Sequence, residues 1–491
     1  MTDEDFLAWL ASATSIRVLL AEATALMDGV ETPLYLASRA YNTGAGDTPA
    51  NTPYLPHISG GGDITETLSL DGQASISYGD IEIGNPGGVR DQWLGFVWAN
   101  RPIRLYMGDP RWPRADFRLV FDGVVADIEA RSAEVLSLVL LDKLDRLNNP
   151  LSETLLGGDT ANKDRLVPET FGEVHNVEPL LIDPATGTYQ VHGAGMEGVI
   201  EVRDMGDVAA ATVDAAAGTF TLDQSPVGQI TCSVQGDKTG GTYRNTISDL
   251  VQLLATQRGP VATRFDAGDL DTANLDAFAA AHPQPVGLYA AERSNVLQAC
   301  QDLAGSVGAQ VVMTSLGQLR LVQIALPPPG TPVAVSETDM DYHTLEIVER
   351  TAVRATSKLG YCRNWTVQSS GLAAGLPASS MDLFSREWLT ASSTDAAVAA
   401  VYRIDTEPPQ RTTLLLREAD AQAEALRERD LWKEPRQVYQ ARYRPHMLLT
   451  QLGDPITFTH GRFDLGAGKT GMVVRILRQW LQGRITLGVL A

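Results

Sequence analysis

Three segments of the chain carry residue types and spacings associated with bound ligands. Residues 466–470 read GAGKT, the close of a phosphate-binding loop whose amides and lysine would hold a nucleotide's phosphates. That pattern needs glycine at 463, where Phe463 stands, and a helix after the threonine. The segment that follows, GMVVRIL, is β-branched and reads as a strand, so a hairpin turn is expected. HGAGMEG places Gly193, Gly195 and Gly198 at the dinucleotide spacing, but VIEVRD after it is a strand where a helix N-terminus would have to meet a pyrophosphate. Residues 266–276, DAGDLDTANLD, resemble an acidic calcium loop. They lack glycine at the sixth position and a closing bidentate Glu, whether counted from Asp266 or Asp269. Capping of the next helix accounts for these acids better, with one adventitious ion left open.

The remaining reactive residue types do not cluster in sequence. His57, His175, His192, His282, His343, His446 and His460 show no zinc-type spacing and no HExxH motif, and no serine sits in a nucleophile elbow. Cys232, Cys300 and Cys362 are far apart and odd in number, which fits buried free thiols made in a reducing cytoplasm. A carboxylate pair for sugar cleavage is defined by separation in space, so 60 acidic residues leave that chemistry open without locating it. No catalytic, cofactor-binding or metal-binding residue is therefore assigned from the sequence.

The elements around these segments belong to a large globular chain. At 491 residues, 44% of them hydrophobic, it has room for about three or four domains. A net charge of −21 argues against a chain-wide nucleic-acid-binding surface, which needs clustered Lys and Arg. Solubility and a wall that DNA slides past both fit that charge. No apolar stretch is long enough to cross a bilayer, and the acidic opening MTDEDFLAWLASATSIRVLL lacks a secretory leader's basic start, so no membrane anchor is expected.

Residues 3–11 read as a short helix capped by Thr2. From Ser15 the pattern changes to alternating strands: SIRVLLAEA, VETPLYLAS, DITETLSL, ASISYGDIEI from Ala74, RPIRLYMGD, DFRLVFDGVVADIEAR and EVLSLVLLD. Short strands broken by turns follow over 171–237. Then come three helical segments: TISDLVQLLATQRGP with Thr246 as N-cap, DTANLDAFAAAHP, and SNVLQACQDLAGSVG with Cys300 on its apolar face. The last runs into the hairpin AQVVMT, SLGQ, LRLVQI. Residues 365–400 show little pattern. READAQAEALRERDLWKE reads as a polar helix with Ala421, Ala425 and Leu426 inward, and strands VYQARYRP, DPITFTHG, KTGMVVRILRQW and RITLGVL follow.

Two of these strand pairs read alike. DGVVADIEARSAEVLSLVLL and TGMVVRILRQWLQGRITLGVL each have a glycine, a Val-Val pair and an isoleucine five residues on: Gly123 and Ile128, Gly471 and Ile476. Their registers differ by about one residue, which a hairpin tip can absorb. Each is preceded by an apolar stretch around a Gly-Asp pair, Gly108-Asp109 and Gly453-Asp454.

The order of these pieces resembles the baseplate hub (tail-tip) proteins of long-tailed, siphovirus-type phages and prophages. Three segments carry the resemblance: LVLLDKLDRLNNPLSETLLGG leading to VPETFGEVHNVEPLLID, the helix-to-hairpin unit SNVLQACQDLAGSVGAQVVMTSLGQLRLVQI, and AQAEALRERDLWKEP through the final strands. The resemblance covers the chain from about residue 15. It implies a homotrimer whose two tube-like β-barrels per subunit make a pseudo-hexameric ring, a symmetry adaptor under the six-fold tail tube. It also implies a distal tail protein or tube above, tip, spike or fibre proteins below, DNA passing through the lumen at ejection without specific binding, and a place at the distal end of the virion's tail after synthesis in the bacterial cytoplasm. The family carries no catalytic residues to transfer, and no cofactor is implied.

The resulting expectation is a β-rich α+β, multidomain chain. A helical arm spans 1–14, a first tube-like β-barrel domain 15–160, an inserted small all-β module 161–240, a helix-plus-hairpin α+β domain 241–345, and a second barrel related by internal duplication, with one long helix, 346–491. Two other functions remain open: a β-rich polysaccharide hydrolase with an Asp/Glu pair, and a carbohydrate-binding adhesin using Tyr189 and Phe220 of the inserted module.

Overall fold

The computed structural model describes residues 1–12, 14–70, 72 and 76–491. Residue 13 of the expected arm and the first two residues of the strand expected from Ala74 lie outside these. The chain forms two compact units. One gathers Met1–Arg146, Gln310–Thr351 and Pro435–Ala491; the other gathers Leu147–Ala309 and Ala352–Glu434.

The first unit is built on one 13-stranded sheet. Alternation of apolar and polar residues forms its strands, as in Arg484–Leu490, where Ile485, Leu487 and Val489 are fully buried. From the edge strand Val30–Ala37 the order runs through Val18–Met27, Arg101–Gly108, Arg118–Ser132, Val135–Asp142, Tyr78–Gly84 and Ile58–Thr67. It continues through Lys469–Gln479, Arg484–Leu490, Gln437–Tyr443 and Glu346–Arg350. Pro455–Phe458 pairs with Lys469–Gln479 and with the short parallel strand Val333–Val335. The helix Asp3–Ala11 is held by a capping box between Thr2 and Asp5 and buries Phe6 and Leu10.

Two closed barrels were expected from the resemblance. Among the described residues no sheet closes on itself. The strands of both regions join into one open sheet, because Ile58–Thr67 pairs with the second half of Lys469–Gln479.

In the second unit, Glu169–Val177, Ile230–Asp237 and Met196–Asp204 form the middle of a five-stranded sheet, and Thr188–Gln190 and Thr219–Leu222 that of a four-stranded one. The two sheets enclose Val174, Val191, Val202, Phe220 and Val234. Helix Ile247–Gln257 starts at Thr246, whose hydroxyl accepts from the Asp249 amide, and packs on Val296–Gly305, where Cys300 is fully buried. The long helix Glu418–Trp432 lies on a three-stranded sheet centred on Thr356–Tyr361.

Two local expectations need correcting. Leu426 is 44% exposed, and Glu424 is turned inward instead, because Arg411 and Arg427 both pair with its carboxylate. The weakly patterned stretch 365–400 contains helices Ala378–Ser385 and Ala396–Tyr402 with strand Leu389–Thr394 between them.

Candidate functional site

The two similar hairpins lie within larger sets of five strands that share one layout. In chain order the first set is Ile58–Thr67, Tyr78–Gly84, Arg101–Gly108, Arg118–Ser132 and Val135–Asp142. The second is Glu346–Arg350, Gln437–Tyr443, Pro455–Phe458, Lys469–Gln479 and Arg484–Leu490. In each, the third strand pairs with the fourth, the fourth with the fifth, the fifth with the second and the second with the first.

The registers agree residue by residue. Gly123 faces Ile103 as Gly471 faces Ile456. Val125 pairs with Leu140 as Val473 pairs with Val489, and Ile128 pairs with Leu138 as Ile476 pairs with Leu487. The ladder is interrupted between Val125 and Asp127 in one set and between Val473 and Arg475 in the other. Beyond it, Ile81 pairs with Leu138 as Ala441 pairs with Leu487. The one-residue difference in length falls at the tips, where Ser132 pairs with Val135 but Gln479 pairs with Arg484.

The shared glycine has a steric cause. A Cβ on Gly123 would stand 2.4 Å from the Leu141 carbonyl oxygen, and one on Gly471 would stand 2.4 Å from that of Leu490. Leu141 and Leu490 are themselves equivalent in the ladder, each pairing with the residue after the glycine. The Gly-Asp correspondence does not hold, since Gly108 ends its strand whereas Gly453 precedes Pro455–Phe458. Gly453 instead matches Asn100. Both have positive φ, 91° and 61°, and their amides donate to Val473 and Val125 respectively.

The two sets meet where Arg475–Gln479 pairs antiparallel with Asp63–Thr67. Side chains reinforce the junction. Gln479 Nε2 donates to Asp63 Oδ2 at 2.9 Å, and Arg478, 1% exposed, pairs with Glu66. The Arg478 guanidinium is completed by the carbonyls of Leu448, at 3.0 Å, and Thr450. Burial raises the Glu66 carboxyl above the usual range, with Arg478 pulling the other way. Asp142 is also enclosed, and burial lifts it to about 7 although the amides of Ser77 and Leu144 donate to it.

The segments with ligand-like sequences serve as turns and caps. GAGKT runs from a turn into the strand at Lys469, and Gly198 lies inside Met196–Asp204. Asp266 caps a short 3-10 turn, and Asp271 accepts from the Asn274 amide at the start of Thr272–Ala281. Tyr189 and Phe220 stack on each other, ring centroids 5.5 Å apart, and are 7% and 1% exposed, so neither is presented to a sugar.

A buried polar cluster in the second unit joins His192, Asp237, Arg258 and Glu169. Asp237 also accepts from the amide and hydroxyl of Thr239, and His192 Nδ1 accepts from the Thr170 amide at 3.0 Å. These bonds, with His192 and Asp237 almost wholly buried, anchor the strand Ile230–Asp237 to the end of helix Ile247–Gln257. A shallow pocket of about 170 Å³ beside Asp249, Gln252 and Thr256 is smaller than ordinary ligand sites of roughly 300–1,000 Å³. Among the described residues no group of three or more His, Cys, Asp or Glu could hold a metal ion.

No protein-family model matches the chain, and no curated protein matches it. Among solved structures, the chain is similar to phage and prophage tail proteins. A tail protein from Neisseria meningitidis shares 12% identity at a TM-score of 0.40, over 96% of each chain. The 43 kDa tail protein of prophage MuSo2 from Shewanella oneidensis shares 10% at 0.40, over 97% of this chain and 98% of that one. Prophage tail protein gp18 from Listeria monocytogenes shares 8% at 0.34, over 90% and 92%. At these scores the likeness is too loose to transfer a role.

Proposed function

We propose that this chain is a structural, non-catalytic protein of a phage tail tip. It forms a trimeric baseplate hub that adapts a six-fold tail tube to a three-fold tip and leaves a path for DNA. The observation that carries this reading is the repetition of five strands in one order and one register, with its shared glycine and its shared ladder interruption. Convergent hairpins have no reason to agree in all of these, so we attribute the agreement to internal duplication, with residues 352–434 inserted between the first two strands of the second copy. Three subunits bearing two such copies offer six similar positions to a six-fold neighbour.

On this reading the repeated strands belong to the ring, and parts of the second unit face tip, spike or fibre proteins. The net charge of −21 suits a lumen that repels DNA rather than holding it. The polar clusters support the non-catalytic reading: Asp142, Glu66, His192 and Asp237 are buried and engaged in holding strands together. The test is the mass of the purified full chain together with electron-microscopy class averages. Three copies in a ring with six similar inner lobes are expected, and a monomer that cleaves glycans would overturn the proposal.

A further inference from the structure

The duplication defines a second junction that one chain cannot make. Within the subunit, Asp63–Thr67 of the first copy pairs with Arg475–Gln479 of the second. The equivalents are Glu346–Arg350, the outermost strand of the second copy, and Asp127–Arg131, the far half of the first copy's long strand. Among the described residues, Glu346–Arg350 ends the sheet and pairs only with Gln437–Tyr443. Pairing between Arg101–Gly108 and Arg118–Ser132 stops at Val125. Among the described residues no strand pairs with Asp127–Arg131 on that side.

We propose that these two edges pair between subunits, Glu346–Arg350 of one copy of this chain adding to Asp127–Arg131 of the next. The proposal rests on the ring reading above and names its contact. The internal junction supplies the template. Ile64, in the filled junction, is fully buried, whereas Ile347, its equivalent, is 38% exposed, as is Val348 beside it. Leu94, 45% exposed, lies in the 3-10 turn Asp91–Gly95, which packs by the Arg118–Ser132 strand. An unpaired edge with exposed branched residues is a template for another strand.

Carrying the internal register across fixes the contacts. Arg478 opposite Ile64 becomes Ala130 opposite Ile347, and Gln479 opposite Asp63 becomes Arg131 opposite Glu346. The second pair replaces an amide–carboxylate hydrogen bond by opposite charges, with an Arg131 that within the subunit already lies beside Asp80 and Glu82. At the other end, past the ladder shift between Ile347 and Glu349, Asp127 comes to the Arg350 end, again with opposite sign. Glu346 and Arg350 are exposed in the subunit, as are Asp127, Ala130 and Arg131. Such a contact is heterologous, head to tail, and closes into a ring when the rotation per subunit permits.

The test is a cysteine pair, Ala130→Cys with Ile347→Cys, in the full chain under mild oxidation. Covalent species stopping at three copies are expected, and neither single variant should form them. Ile347→Asp should abolish the trimer while leaving the circular dichroism of the subunit unchanged, because the side chain is exposed in the unassembled chain. A trimer that does not cross-link through this pair and tolerates Ile347→Asp would overturn the strand pairing and leave the ring standing. A chain that stays monomeric would overturn the ring, and with it the interface.

Discussion

The buried pair Glu66–Arg478 is where the sheet's two halves should be most sensitive to a single change. Both side chains are nearly inaccessible, at 3% and 1% exposure, and Arg478 makes its other bonds to the Leu448 and Thr450 carbonyls. Glu66→Leu would remove the carboxylate paired with this guanidinium and leave its charge in the interior, at a cost of about 3–5 kcal/mol. Arg478→Met should cost less, because the Glu66 carboxyl, already raised by burial, can take up a proton once its partner is gone. Combining the two removes both charges, so the double variant should be less damaged than the sum of the singles. Amide hydrogen exchange is the suitable assay, since it reads Ile58–Thr67 and Arg475–Gln479 locally while the second unit serves as an internal control. Exchange in both strands should accelerate together in Glu66→Leu. A cost below about 1 kcal/mol, typical of a solvated surface pair, would refute this account of the junction.

Gly123→Ala and Gly471→Ala should each destabilise the first unit by about 1–3 kcal/mol, read by urea denaturation, since each new methyl meets an equivalent backbone oxygen at 2.4 Å. An unequal result, with one substitution harmless, would count against equivalence. Asp142 should make stability pH-dependent. Its folded pKa, about 7, lies above the unfolded 3.8, so the folded state binds the extra proton and stability falls as pH rises through that window, by up to about 4 kcal/mol. His57 and His282, lowered by burial, act in the opposite sense and lose stability as pH falls through 6.5, so the readout is the difference between the parent and Asp142→Asn across that window. The parent should lose stability relative to Asp142→Asn as pH rises through that window, and a pH-independent difference would contradict the assignment. Tyr189→Ala should lower the melting temperature of the second unit, because the ring is core; loss of glycan binding with unchanged stability would restore the adhesin reading.

Much of the sheet was legible because its strands obey simple alternation. DFRLVFDGVVADIEAR, EVLSLVLLD and RITLGVL each appear as strands close to where their pattern places them. The hairpin similarity was legible too, since Gly123 and Gly471 are fixed by backbone clashes that leave a residue signature. The wider equivalence was not. Asn100 and Gly453 share a backbone conformation rather than a side chain, and the Gly-Asp pairs that looked alike occupy opposite ends of their strands. Closure is not legible in the sequence, because it depends on which edges meet, and alternation sets a strand's faces but not its neighbours. The two helices in 365–400 were missed because Ala378–Ser385 and Ala396–Tyr402 are largely exposed and lack an apolar stripe; Asp395, which caps the second through the amides of Ala397 and Val398, was the available signal. The inward turn of Glu424 in place of Leu426 is not legible in the helix alone, because one of its two arginine partners, Arg411, comes from another segment.

On the proposed reading, one chain carries two equivalent ring positions and assembles three-fold. The mass of the purified full chain, taken with its electron-microscopy class averages, tests it most directly. Three copies in a closed ring with six similar lobes are expected. A monomer, or a ring whose lobes are not two per subunit, would contradict it.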